Sequence, residues 1–104
     1  MEQTIEQTLE QGIAAHNKGN FQEAEHFYKT ILQKQPKHPD ANYNLGLITI
    51  SINQIEAALP LFRTALEVNP NIEKFWFSYI YALVISKRLE DAKQAIKKAK
   101  EKGF

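Results

Sequence analysis

Apolar and small residues recur along this chain at helical spacing, in six blocks separated by Gly, Asn or Pro. The clearest pair lies in the middle. Tyr43, Leu45, Gly46, Leu47, Ile48, Ile50 and Ile52 mark a helix from about Asp40 to Ile52, and a second runs from about Ile55 to Val68 before Asn69-Pro70-Asn71 stops it. Ahead of them, a helix from about Gln3 to Asn17 breaks at Lys18-Gly19-Asn20. Asn20 is expected to cap the next helix, with Glu23 three residues on. That helix, Phe21 to Lys34, ends at Gln35-Pro36-Lys37-His38-Pro39, because each Pro disfavours helical backbone in the residue before it. Behind them, helices are predicted from Glu73 to about Ser86 and from about Leu89 to Lys102, with Gly103 as a C-terminal cap. Pro60 falls inside the fourth helix, where a local bend is expected.

Shifted by the spacing from Gly12 to Gly46, the three hairpins superimpose in kind. Gly12 meets Gly46; Ala24, Ala58 and Ala92 coincide; so do Phe21, Ile55 and Leu89, then Tyr28, Phe62 and Ile96, then Ile31, Ala65 and Ala99, and finally Pro36 and Pro70. Antiparallel helices approach closely where small residues face each other, so Gly12 with Ala24 and Gly46 with Ala58 are the expected contact points. One hairpin cannot bury its own apolar face; stacked copies can. This period and small-large pattern resemble the tetratricopeptide repeat family, over residues 5 to 104. The resemblance implies an all-α fold: a right-handed α-α superhelix, or solenoid, of three helix-turn-helix hairpins and six helices. It forms one domain, with repeats at about 5–38, 39–72 and 73–104.

Departures from the family pattern are informative. Gln3, Gln7 and Gln11 form a polar stripe, as suits a first repeat with no helix before it. Ile80 stands where the third repeat should have its close-contact Gly, so that hairpin is expected to sit wider or rotated, and Phe104 replaces the Pro that should follow. Lys93, Lys97, Lys98, Lys100 and Lys102 solvate the last helix.

Composition narrows the chemistry. With 104 residues, 43% hydrophobic and 24% charged, the chain suits one soluble domain. It has no cysteine, which excludes disulfides, thiolate nucleophiles and Cys-ligated zinc and suits a reducing cytoplasm, its expected location. The net charge is +1, but residues 1 to 35 hold five acids and three bases while residues 86 to 104 hold three acids and seven bases. Those bases lack interleaved aromatics, so no nucleic-acid partner is expected. The longest apolar run, Phe75 to Ser86, falls short of the ~20 residues of a bilayer span, and no membrane partner is expected. His16, His26 and His38 lack the spacing that sets two ligands on one helix face, and no metal or cofactor is expected. Glu6 with Glu10 reads as a solvated face and Glu90-Asp91 as a helix start. Nothing resembles a phosphate loop or a nucleophile motif, so the protein is expected not to be an enzyme.

Function is carried by the resemblance. In this family the first helix of each hairpin lines a concave groove, which here implies Leu9 and Ile13, then Tyr43, Asn44 and Leu47, then Lys74, Phe77, Ser78 and Tyr81. The apolar and aromatic members form a strip expected to lie open, for a peptide or helical segment of a partner protein. A family mode that grips a terminal carboxylate is matched at Asn44 and Lys74 only; Leu9, Ile13 and Ser78 stand where its other donors are needed. Two further readings stand beside this one. The protein is a self-assembling oligomerisation module, its acidic first end meeting a neighbour's basic last helix; or it is the N-terminal adaptor of a larger bacterial transferase, since Phe75-Trp76-Phe77-Ser78-Tyr79 looks like the helix preceding such domains.

Overall fold

The computed structural model describes residues 3–104, and those residues form six helices: α1 (Ile5–Asn17), α2 (Phe21–Lys34), α3 (Pro39–Ser51), α4 (Ile55–Val68), α5 (Glu73–Ile85) and α6 (Leu89–Glu101). They stack as three hairpins in a body of 46 × 26 × 21 Å.

Local chemistry sets the ends. α1 starts later than expected because Thr4 and Gln7 form a capping box: Thr4 Oγ1 accepts from the Gln7 N–H at 3.0 Å, and Gln7 Oε1 accepts from the Thr4 N–H at 3.0 Å. α3 starts with Pro39 in its first turn, where a missing N–H costs nothing, and His38 Nδ1 accepts from the Ala41 N–H at 3.1 Å. Asn20 does not make the side-chain cap expected of it. Its N–H instead donates back to the Ala15 carbonyl at 2.9 Å to close α1, and its ψ of 71° is not the extended geometry a side-chain cap needs. α4 runs on through Pro60, whose carbonyl accepts the Thr64 hydroxyl at 2.9 Å.

The turns inside the hairpins share one geometry. Gly19, Asn53 and Lys87 occupy the same place in successive repeats and have φ of 81°, 63° and 64°. Each sits one residue before an N–H that reaches back across the helix end: Asn20 to Ala15, Gln54 to Thr49 and Arg88 to Leu83, at 2.9, 2.9 and 2.8 Å. This is the closure in which a left-handed residue satisfies the orphan carbonyls of the last turn. The pattern recurs after α6, where Phe104 N–H donates to the Ala99 carbonyl at 3.0 Å and the Phe104 ring packs on the core.

Packing corrects one expectation about contacts. Gly12 and Gly46 are needed for rings rather than for Ala24 and Ala58: a Cβ on Gly12 would stand 2.6 Å from Tyr28 Cε1, and one on Gly46 would stand 2.6 Å from Phe62 Cε1. Ile80 and Ile96 stand at the matching positions of the third hairpin, and α5 and α6 lie together over a shorter stretch than the helices of the two earlier hairpins, as a wider or rotated hairpin would. Two apolar clusters result. Ala15, Ala24 and Tyr28 join Leu45 and Ile48, while Tyr43 joins Phe62, Phe75, Trp76, Leu83 and the alanines of α6. α3 therefore belongs to both.

Buried donors tie successive hairpins to the linkers between them. Asn42 Nδ2 donates to the Pro36 carbonyl at 3.0 Å, and Trp76 Nε1, one repeat on, donates to the Pro70 carbonyl at 2.7 Å. The backbones of odd-numbered helices approach the next odd one, α1 with α3 and α3 with α5, whereas among the described residues no Cα atoms of two even-numbered helices lie within 8 Å of each other. The stack thus curves with α1, α3 and α5 on its inner side.

Candidate functional site

The residues expected in the groove fall into two groups. Tyr43, expected to present an open ring, is instead buried, at 7% exposure. α5 lays Phe75 against it, ring centroids 4.7 Å apart, with Phe62 behind at 5.8 Å. What reaches the inner surface is its edge: the hydroxyl stands 3.2 Å from Ser78 Oγ, and Lys74 Nζ lies 5.3 Å from the ring centroid. Tyr43, Lys74 and Ser78 therefore hold α3 to α5. Asn44 is half-buried, and its Nδ2 donates to the Asp40 carbonyl at 2.8 Å, which leaves the amide oxygen and the second N–H free.

The other group is open. Leu9 and Leu47 are half-buried against the two clusters, and Ile13 is exposed. Phe77 and Tyr81 are 56% and 57% exposed on α5. Val84, 46% exposed, extends their stripe by one turn, and sequence reasoning misses it. The signal that could have found it is its place one repeat after Ile50, which packs on the core. The apolar inner surface is thus concentrated at the third hairpin rather than spread evenly over three.

The remaining chemistry is sparse. Among the described residues no three His, Asp or Glu side chains cluster as metal ligands, and no helix is long and apolar enough to cross a membrane. His16 is a packing residue: its ring meets those of Phe21 and Tyr28 edge-on at 5.5 and 6.4 Å, and burial holds its pKa below the usual 6.5. On the outer side, where α4 and α6 splay apart, a cleft of about 420 Å³ has Trp76 and Tyr79 in its wall. Arg63, Lys98 and Lys102 share its wall with Glu67 and Asp91, so both signs of charge line it. Splaying of non-adjacent helices leaves no local sequence pattern, and this cleft had no precursor in the sequence.

One tetratricopeptide repeat profile matches residues 15–59, and a second matches residues 50–103, more than half of the chain. The chain belongs to the tetratricopeptide repeat family. It is 39% identical over 61 residues to the peroxisomal targeting signal receptor of Kluyveromyces lactis, a stretch that is 59% of this chain and 11% of that receptor. MamA from Desulfovibrio magneticus RS-1 superimposes with a TM-score of 0.83 at 26% identity, over 96% of this chain and 56% of that one. A mutant O-GlcNAc transferase from Thermobaculum terrenum shares the fold alone, at 22% identity and a TM-score of 0.84, over 99% of this chain and 21% of that enzyme. The chain spans about half the length of the MamA structure and about a tenth of the receptor.

Proposed function

We propose that the protein is a non-catalytic interaction scaffold whose inner face, α1, α3 and α5, takes an apolar peptide or helical segment of a partner protein. The observation that carries this reading is the exposure of Phe77 and Tyr81 on a rigid helix beside half-buried Leu47. Large aromatics left in water on one face mark contact sites, and a helix that is fixed before binding loses little entropy on association. Membership of the tetratricopeptide repeat family supports it, as does likeness to a receptor named for a targeting signal. A cysteine-free chain suits work in a reducing cytoplasm. The superposition of nearly the whole chain on part of a transferase favours, as a second reading, the same binding role in front of a catalytic domain.

Panning a displayed peptide library against the protein tests the reading. Selected peptides should lose affinity to Tyr81→Ala and Ile13→Asp while the variants keep wild-type melting within about 0.5 kcal/mol. Peptides that ignore both substitutions and respond instead to Lys98→Ala would put binding on the outer cleft and defeat the proposal.

A further inference from the structure

Among the described residues, the third hairpin leaves open a surface that each earlier hairpin presents to a helix. In the second hairpin, Tyr43, Leu47 and Ile50 on α3 and Leu59, Phe62 and Leu66 on α4 all pack into the cluster to which α5 contributes Phe75 and Trp76. Their counterparts one repeat on are Phe77, Tyr81 and Val84 on α5, and Lys93, Ile96 and Lys100 on α6. All six are exposed. The apolar ridge on α5 is kept, whereas the two leucines of the α4 half have become lysines. Lys97 lies on the same side of α6, at the spacing that aligns it with Lys93 and Lys100. Of these three, only Lys93 is paired with an acidic side chain among the described residues, Glu90 at 3.6 Å.

From this pairing of an uncovered ridge with a basic flank, and resting on the reading of the protein as an interaction scaffold, we infer that the end of the third hairpin docks an acidic amphipathic helix of a partner protein. The partner helix lies where α5 lies on the second hairpin. Its apolar stripe covers Phe77, Tyr81 and Val84, and its Asp or Glu residues face Lys93, Lys97 and Lys100. A helix fits because the same positions receive α3 and α5 in the two preceding steps of the stack. Charge selects the occupant. A second copy docking end to end in two-fold fashion would set two lysine rows against each other, which is repulsive. Head-to-tail stacking is disfavoured differently: the first hairpin offers Thr4, Gln7 and Gln11 where α5 and its cap offer Ile72, Phe75 and Tyr79, so it lacks the apolar residues with which α5 covers the second hairpin.

The test uses two labelled synthetic helical peptides with the same Leu stripe at i, i+3, i+4 and i+7, one flanked by Glu and one by Lys, titrated into the full chain by fluorescence anisotropy. The Glu peptide should bind about tenfold more tightly, and the difference should shrink with added salt. A Lys93→Glu, Lys100→Glu double variant should reverse the preference, and Tyr81→Ser should abolish binding of both. Failure of both peptides to bind overturns the inference. Binding that survives charge reversal but is lost in Ile13→Ser also overturns it, and leaves the broader scaffold reading standing. So does a dimer in sedimentation that Tyr81→Ser dissolves, which would give the ridge to a second copy.

Discussion

The indole N–H of Trp76 donates to the carbonyl of Pro70 at 2.7 Å, so the first turn of α5 is fastened to the linker that introduces it. Trp76 is otherwise buried in the larger cluster. Trp76→Phe keeps most of the apolar contact but strands the Pro70 oxygen, and should cost about 1–3 kcal/mol in urea denaturation. Trp76→Ala also leaves a cavity and should cost about 3–5 kcal/mol.

Tyr28 carries a buried hydroxyl with no hydrogen-bond partner among the described residues, and its counterpart in the next repeat is Phe62. Tyr28→Phe should therefore stabilise the protein, by about 1 kcal/mol, because it removes a desolvated group that gains nothing in return. Burial raises the Tyr28 pKa from 10.0 to about 12. The phenol thus stays protonated in the folded state where the unfolded chain would already ionise. Stability is full below pH 10 and falls as the pH rises toward 12, and chemical denaturation across that window should show the decline flattened in Tyr28→Phe.

Gly46 and Gly12 sit against rings that leave no room for a methyl group. Alanine is the better helix former by about 1 kcal/mol, yet the clash should dominate. Gly46→Ala should lower stability by about 1–3 kcal/mol, since Phe62 is fully buried and can shift only by displacing the cluster around it. Thermal melting of the pair of variants checks this.

Lys87 adopts the left-handed conformation that Gly19 holds at the same place in the first hairpin. Lys87→Gly should raise stability by about 0.5–1 kcal/mol, the relief of Cβ strain outweighing the added freedom of the unfolded chain. Asn53→Gly should gain less, because Asn tolerates this region better than Lys does. Urea midpoints of the two variants give the comparison.

The six helices were legible because Gly, Asn and Pro punctuate a strict period, and the bounds of α2 and α4 agree with the sequence to the residue. What escaped was information that is not local. Whether Tyr43 lies open depends on residue 75, which is Phe where the equivalent positions carry Ala41 and Gln7. Asn20 has the composition of a helix cap but is recruited by the end of the preceding helix. Spacing misleads about the partner of each glycine for a related reason: it shows that two small residues coincide, not that a ring from one turn further along slides over the gap. Within the candidate site, the split between fastening residues and open ones needed the three-dimensional structure.

Membership of α3 in both apolar clusters has a mechanical consequence. Loosening at either terminus can be absorbed by the cluster nearest to it, so fraying at one end need not reach the other. A lesion at Leu45 or Tyr43 has no such firebreak, since it detaches the middle hairpin from one neighbour and leaves that outer hairpin too small to stand alone.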